Sequence, residues 1–286
     1  MVEMDPRDYY AEHADREFER LTESLPKRLE WEHTVATLDD LLPAPRPGDG
    51  RRTRVLDAGG GPGRYSIWLA DRGHDVAHCD LTPELVALAR EKTREAGVAD
   101  RVRAAEADVR DLPYADDAFD AVCSLGGVLN HVVDAGERER AVAELRRVAR
   151  PGAPVAVSVI SRVGGARYTL KELAGDDDPD PSRSELLAHY ARTGDFTEAV
   201  VERYGGDDGW AAHHAFRVAE LEALLDSQGL APERVVALEG ATAGLHEELD
   251  DVPEHVADAA RDVADAWRDD RALADASEHF LVVARA

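Results

Sequence analysis

Between residues 53 and 161 of this 286-residue chain, short apolar runs alternate with segments of helical periodicity. Parallel strands must be joined by crossovers long enough to hold a helix, so this alternation predicts a parallel sheet with helices on both faces. The predicted strands cover residues 54–59, 75–80, 101–108, 119–125 and 154–161. The predicted helices between them cover residues 64–72, 83–96 and 137–149.

The flanking segments extend this fold. Helical spacing of apolar residues predicts two helices before the first strand, and a proline- and glycine-rich stretch then indicates a linker. The alternation stops after the fifth predicted strand and resumes near residue 217. The remaining predicted elements are helices over 6–22, 27–42, 184–191, 217–228 and 253–270, strands over 233–240 and 279–286, and the linker over 43–52.

The order of elements predicts a doubly wound, mostly parallel, seven-stranded α/β sheet of the Rossmann-like kind. We expect residues 1–45 to form an N-terminal helical cap and residues 46–286 to form the main domain. Residues 162–215 are then an insertion after the fifth strand. We expect this insertion to form a lid over a binding site.

The net charge of the chain is unusually negative. Its 59 acidic residues outnumber 34 basic ones, giving a formal charge of −25, and only Lys27, Lys92 and Lys171 are lysines. This pattern resembles proteins from organisms with a high-salt cytoplasm, where carboxylates keep the surface hydrated. The excess of acid also weighs against a nucleic-acid partner, because phosphate binding favours a basic surface.

Apolar patterning bears on the cellular location of the protein and on its cysteines. There is no run of 18 apolar residues and no apolar core of a secretory signal near the N-terminus, so we expect a cytoplasmic protein with no membrane partner. Cys79 and Cys123 lie in strand-like apolar runs, which predicts buried thiols. The spacing of histidines and cysteines predicts no metal site.

One segment, VLDAGGGPGRY from Val55 to Tyr65, joins a buried strand to a helix through a glycine-rich turn. Open α/β sheets bind ligands at this position, beyond the carboxyl ends of their strands. Gly59, Gly61 and Gly63 let the backbone turn tightly and approach a ligand closely. The turn is therefore the predicted ligand site.

The residues around these glycines favour one kind of nucleotide ligand. The dinucleotide fingerprint has a glycine where this chain has Arg64. Asp57 would repel a pyrophosphate but attract an ammonium group, and Pro62 lacks the N–H that a phosphate would use. The turn is therefore predicted to bind a cationic, phosphate-free nucleoside in preference to NAD.

The pattern Asp57-x-Gly59-x-Gly61-x-Gly63 resembles the first motif of the class I S-adenosylmethionine-dependent methyltransferases. The resemblance continues in register along residues 50–161 and implies methyltransferase activity with S-adenosyl-L-methionine as the cofactor. It implies that Asp80 holds the ribose hydroxyls and that Asp108 and Val109 read the adenine. The full set of implied cofactor-binding residues is Asp57, Gly59, Gly61, Gly63, Asp80, Leu81, Asp108, Val109 and Leu125.

Methyl transfer requires mainly proximity, alignment and exclusion of water. A general base is needed only when the acceptor must lose a proton, and His131, in the loop after the fourth strand, is the candidate. Aromatic and polar residues in the cap, this loop and the insertion suit a small organic acceptor. The candidate acceptor-pocket residues are Tyr9, Tyr10, Arg20, Asn130, Tyr168, Trp210 and His214.

Four functions fit these patterns to different degrees. The first is methyl transfer to a small organic acceptor at oxygen, nitrogen or carbon. The second is methylation of a protein or RNA, and the third is binding of S-adenosylmethionine or S-adenosylhomocysteine without catalysis. An NAD-dependent oxidoreductase is the weakest of the four, because the glycine pattern departs from the dinucleotide fingerprint.

Overall fold

A computed structural model describes residues 5–42, 52–178, 180–204 and 211–286. The predicted linker, apart from Arg52, lies outside the described residues, as does Trp210. The strands, in chain order, are β1 Arg54–Ala58, β2 Asp75–Asp80, β3 Val102–Glu106, β4 Ala121–Ser124, β5 Pro154–Ile160, β6 Asp195–Phe196, β7 His213–His214, β8 Ala231–Ala237 and β9 His279–Arg285.

Seven of these strands form one sheet in the order β3-β2-β1-β4-β5-β9-β8. Strands β1 to β5 are parallel to one another, whereas β9 runs antiparallel to both β5 and β8. The strand order reverses between β1 and β4, which places the topological switch point of the sheet there. The prediction of a mostly parallel, seven-stranded doubly wound sheet is confirmed.

Helices cover both faces of the sheet, and consecutive β1 residues show the alternation. The helices are α1 Pro6–Glu12, α2 Ala14–Glu19, α3 Leu25–Leu41, α4 Arg64–Asp71, α5 Pro83–Glu95, α6 Ala135–Val148, α7 Arg162–Gly175, α8 Pro181–Thr193, α9 Glu198–Tyr204, α10 Val218–Ser227, α11 Glu254–Trp267 and α12 Arg271–Ala276. Val55 belongs to a core shared with α3 and α4, whereas Leu56 belongs to a core shared with α6 and α10.

The N-terminal segment differs from the single helix predicted over residues 6–22. The chain breaks at His13 between α1 and α2, and a 3₁₀ turn at Arg20–Thr22 follows. Helices α1 and α2 each contact α5. Helix α3 then starts after Ser24, whose side chain accepts a hydrogen bond from the Lys27 N–H, as an N-cap does.

The insertion after β5 contains more structure than its sequence predicts. The predicted helix at 184–191 is the middle of α8, but α7, α9 and the pair of strands β6 and β7 were not predicted. Asp195 pairs with His214 and Phe196 with His213, so this two-residue ladder joins the segment after α8 to the C-terminal end of the insertion. Strands this short carry no readable alternation, which explains why the sequence did not reveal them.

The helices of the described residues are all too short or too polar to cross a lipid bilayer.

Candidate active site

A cavity of about 880 Å³ lies at the carboxyl ends of β1, β2, β3 and β4. Each of these strands contributes the residues that directly follow it, and α1 crosses above them. Among the residues predicted as functional, those that line the cavity are Gly59, Gly61, Asp80, Leu81, Asp108, Val109, Leu125, Tyr10, Arg20 and His131. These residues come from five separate parts of the chain.

The glycine turn after β1 forms the floor of this cavity. The Gly59 and Gly60 N–H groups both donate to the Cys79 carbonyl, at 2.8 and 3.0 Å. Gly59 has a φ of +72°, and a Cβ added there would lie 2.4 Å from Val128 Cγ2. Gly61 has a φ of +54°, and a Cβ added there would point into open space. The turn is thus shaped as a cradle that side chains would fill.

Gly63 joins the glycine turn to α4. It stands at the N-cap of α4 with a φ of +86°, and a Cβ there would lie 3.0 Å from the Ala89 side chain. Gly63 is not among the residues that line the cavity. Its lack of a side chain lets α4 pack closely against α5, and its contact with the cofactor stays a prediction.

Asp57 is not among the residues that line the cavity, and its predicted role in cofactor binding stays a prediction. The carboxylate is fully buried beneath the turn and accepts a hydrogen bond of 2.7 Å from the Ser66 hydroxyl. A Cβ at Gly60 would come within 2.7 Å of Asp57 Oδ2. Asp57 therefore supports the turn from below and does not line the cavity, because its side chain faces α4 and His78.

Asp80 ends β2 and organises the cavity wall. It is only 8% exposed, and its two oxygens accept hydrogen bonds of 2.9 Å from the N–H groups of Gly61 and Thr82. Burial raises the pKa of this carboxyl above its ordinary value. Each carboxylate oxygen can accept a second hydrogen bond, so Asp80 can still receive donors from a ligand.

Asp108 follows β3 in the same wall. Partial burial would raise its pKa, but hydrogen bonds from the Arg110 guanidinium and backbone lower the pKa overall. Arg110 Nε lies 2.9 Å from one carboxylate oxygen and 3.0 Å from the other. A ligand that bonds to Asp108 must therefore share this carboxylate with Arg110.

Tyr10 and His131 close the cavity from opposite sides. The Tyr10 hydroxyl lies 2.9 Å from His131 Nε2, and His131 Nδ1 lies 3.0 Å from the Ala212 carbonyl. A carbonyl oxygen can only accept, so Nδ1 carries the proton and the tyrosine donates to Nε2. Burial lowers the pKa of His131 to about 4, so the ring is neutral near pH 7. The predicted general base therefore has its lone pair engaged by Tyr10.

Four other predicted acceptor residues are not among those that line the cavity. Asn130 is fully buried and bonds to the backbone of Ile160 and His214. The His214 ring lies between Asp195 of the insertion at 2.6 Å and Glu220 of α10 at 2.7 Å. Tyr9 stacks on His13, and Tyr168 is 43% exposed. Acceptor binding by Asn130, His214, Tyr9 and Tyr168 stays a prediction.

The cavity wall also contains residues that the sequence analysis missed. Thr197, Glu198, Ala199 and Ala212 come from the insertion. They lie beside β6 and β7, whose pairing was not predictable, so their position could not be found from the sequence. Tyr65, by contrast, lies at the start of α4, just after the glycine turn. Its place in the cavity wall could therefore have been predicted from the sequence.

The bond between Tyr10 and His131 leads to a measurable pKa change. Replacing Tyr10 by phenylalanine removes a donor that favours the neutral ring. A hydrogen bond of about 1 kcal/mol corresponds to a rise of ~0.7 in the pKa of His131. An NMR titration of the imidazole between pH 7 and 4 would measure it, with Tyr9→Phe as the matched control. An unchanged pKa in Tyr10→Phe would contradict the assigned bond.

Comparison with known proteins agrees with this geometry. Residues 55–152 match the family model described as a methyltransferase domain. The chain is 36% identical over 122 residues to the methyltransferase GfsG of Streptomyces halstedii, covering 42% of this chain and 41% of that protein. It is 32% identical over 121 residues to a ubiquinone/menaquinone biosynthesis C-methyltransferase of Vibrio campbellii, covering 41% and 43%. The chain thus spans less than half the length of the curated relatives it matches.

A solved structure shares the whole architecture. A SAM-dependent methyltransferase from Methanosarcina mazei aligns with a TM-score of 0.56 at 20% identity, covering 87% of this chain and 96% of that one. The chain therefore has the same Rossmann-like fold as that methyltransferase, and its residues 55–152 are similar to a methyltransferase domain. Domains of this class depend on S-adenosyl-L-methionine as cofactor.

Proposed function

We propose that this protein is an S-adenosylmethionine-dependent methyltransferase that acts on a small organic acceptor at oxygen, nitrogen or carbon. The observation that supports it best is the cavity at the carboxyl ends of β1 to β4. Its wall holds a glycine cradle with a buried carboxylate on one side, and the methyltransferase domain match covers these same strands. At about 880 Å³ the cavity falls within the range of small-molecule sites.

The residues of the cavity suit this cofactor. Gly59 and Gly61 would allow the backbone close to the amino-acid part, and Asp80 would accept hydrogen bonds from the ribose hydroxyls. Asp108 and Val109 would face the adenine, with Leu81 and Leu125 supplying apolar contacts. Asp57 and Gly63 would act from outside the cavity by holding the turn in shape.

When bound, the cofactor supplies a methyl group on a positively charged sulfur. The contribution of this chain is to align the acceptor and exclude water. Helix α1 supports both tasks, because Tyr10 bonds to His131 across the cavity and Arg7 lies 3.3 Å from Glu106 at the end of β3.

Two observations favour a small acceptor over a macromolecule. Helix α1 and the insertion residue Ala212 are joined through Tyr10 and His131, which covers one side of the cavity. The formal charge of −25 weighs against RNA, because phosphate binding favours a basic surface. The printed name of the Vibrio relative, a biosynthetic C-methyltransferase, is consistent with a small acceptor.

Isothermal titration calorimetry separates the proposed functions. We expect S-adenosylmethionine and S-adenosylhomocysteine to bind with one site each and NAD to give no heat. Tight binding of NAD, or binding of neither nucleoside, would contradict the proposal. A panel of small acceptors with isotopically labelled S-adenosylmethionine then tests catalysis. Binding without turnover on a broad panel would favour a non-catalytic cofactor-binding protein.

A further inference from the structure

A serine, a histidine and a glutamate form one hydrogen-bonded row away from the cavity. Ser24 Oγ lies 2.7 Å from His246 Nδ1, and His246 Nε2 lies 2.9 and 3.0 Å from the two carboxylate oxygens of Glu278. Ser24 precedes α3, His246 lies between β8 and α11, and Glu278 precedes β9. None of the three is among the residues that line the cavity, so the row is separate from the proposed cofactor site.

The partners of His246 decide which ring nitrogen carries the proton. Burial would raise the pKa of Glu278, but hydrogen bonds from His246 and the Gly244 N–H lower it overall, so the group is a carboxylate near pH 7. A carboxylate can only accept, and the Nε2–H of the ring therefore donates to Glu278. In the neutral ring Nδ1 keeps its lone pair and accepts from the Ser24 hydroxyl. This is the tautomer in which an imidazole takes a proton from a serine nucleophile.

The acid of this row is fixed through its backbone and its side chain. The Gly244 N–H donates to Glu278 Oε1 at 2.6 Å, and the N–H of Glu278 itself donates to Glu239 at 3.1 Å. The Glu278 carbonyl accepts from the Ser161 N–H at 2.8 Å. Helix α7 packs directly on this backbone, because a Cβ added at Gly164 would lie 2.6 Å from Glu278 Cα. The carboxylate is therefore in place to orient the imidazole before any substrate binds.

The Ser24 hydroxyl is directed by the histidine more than by its helix. As the N-cap of α3 it accepts from the Lys27 N–H at 3.5 Å, the outer limit of a hydrogen bond, whereas its contact with His246 is far shorter. Ser24 is 9% exposed and the His246 side chain is 25% exposed, so solvent reaches the pair. The N–H of Leu25, the next residue, belongs to the first turn of α3 and has no acceptor within the helix. An N–H in that position suits a developing oxyanion.

A second serine near a histidine shows that proximity alone does not make a nucleophile. Ser66 Oγ lies 3.1 Å from His78 Nδ1, but the serine is fully buried and its hydroxyl donates to Asp57 at 2.7 Å. Its proton is thus directed to a carboxylate and its oxygen is closed to solvent. Ser24 differs in both respects, and Ser66 is a control within the same chain.

We propose that Ser24, His246 and Glu278 form a second catalytic site that hydrolyses carboxylic esters. Ser24 is the nucleophile, His246 is the general base and acid, and Glu278 is a positioning residue. Leu245, next to His246 and 39% exposed, offers apolar surface for a short acyl chain. Serine–histidine–acid sets occur on unrelated folds in different chain orders, so the order in this chain is no obstacle. The inference is independent of methyl transfer.

The reaction divides into acylation and deacylation. Ser24 Oγ bonds to the acyl carbon as its proton passes to His246 Nδ1. The bond between the acyl carbon and the alcohol oxygen then breaks, and that oxygen takes the proton from Nδ1, which releases an alcohol and leaves acylated Ser24. Water next attacks the acyl carbon and gives a proton to Nδ1. Ser24 Oγ recovers this proton as the carboxylic acid departs.

Hydrolysis of p-nitrophenyl acetate by the full chain tests the site. We expect wild type to release p-nitrophenolate faster than buffer does, and Ser24→Asn to lose about a hundredfold of that excess rate. Asparagine caps a helix as well as serine does, so this variant removes the hydroxyl while α3 keeps its cap. His246→Gln should lose activity to a similar extent. A wild type that is no faster than buffer, or a folded Ser24→Asn with the wild-type rate, would overturn the proposal.

Covalent labelling identifies the nucleophile directly. Diisopropyl fluorophosphate reacts with serines that a neighbouring base activates, and peptide mapping by mass spectrometry locates the adduct. We expect one adduct, on Ser24, with Ser66 and the α7 N-cap Ser161 unlabelled, because Ser161 donates to the Asp275 carbonyl at 2.6 Å. His246→Gln should remove the label. An adduct on another residue alone, or labelling of Ser24 at the wild-type rate in folded His246→Gln, would refute the assigned roles.

Discussion

Gly61→Val will bind S-adenosylmethionine at least a hundredfold more weakly than wild type, whereas Gly97→Val will bind it normally. Gly61 and Gly97 both have left-handed backbone, with φ of +54° and +72°, and a Cβ at either position would meet no atom within 4 Å. Each substitution therefore costs about 1–2 kcal/mol of backbone strain without a clash. Only Gly61 lines the cavity, so only its valine would occupy the space of the ligand.

The pair of variants separates strain from site blocking. We expect thermal unfolding to show a similar, modest loss of stability in both, because the backbone penalty is the same. Calorimetry on folded protein then reports the ligand affinity alone. Normal binding by Gly61→Val would refute the cofactor site, and weak binding by Gly97→Val would show that strain, not occupancy, causes the loss.

The sequence predicted the sheet well because its signals are local. Buried parallel strands such as β1 form continuous apolar runs, and the turn that follows β1 is marked by its glycines. The positions at the strand ends, including Asp80 and Asp108, then follow from the register of parallel strands. Asp80 and Asp108 both lie in the cavity wall, although their roles in cofactor binding stay predictions.

Whether a predicted site residue faces the cavity depends on contacts with other parts of the chain, which the sequence pattern does not show. Asp57 and Gly63 belong to the glycine pattern, but whether they face the ligand or the packing of α4 depends on Ser66 and Ala89. His131 is a plausible base by residue type alone. Its engagement by Tyr10, 121 residues away along the chain, required the position of α1.

The buried charged cluster of Arg20, Glu30, His279 and Glu239 was not visible in the sequence for the same reason. Its members come from the N-terminal segment, α3, β9 and the segment just after β8, and no spacing links them. The separation of a cap over residues 1–45 from a main domain stays a prediction. Helix α3 packs into the core of the sheet through Leu38, whereas α1 lies over the cavity.

Asp80→Ala will lose at least a hundredfold in affinity for S-adenosylhomocysteine, while Asp75→Ala at the other end of β2 will bind normally. Asp80 holds the cradle through the Gly61 N–H and the start of α5 through the Thr82 N–H, so its loss removes a ligand acceptor and loosens the wall. Asp75 is half exposed, and its side chain pairs with Arg52 at the surface, outside the cavity.

The pH dependence of binding gives a second, independent readout of Asp80. Its pKa is raised by burial, so the carboxylate takes up a proton at a higher pH than an ordinary aspartate. Ribose hydroxyls donate better to a carboxylate than to a neutral acid, and affinity for S-adenosylhomocysteine should therefore fall as the pH is lowered. In Asp80→Asn the affinity should be low throughout and this dependence should vanish. A wild-type slope that persists in Asp80→Asn would assign the titration to another group and remove Asp80 from the site.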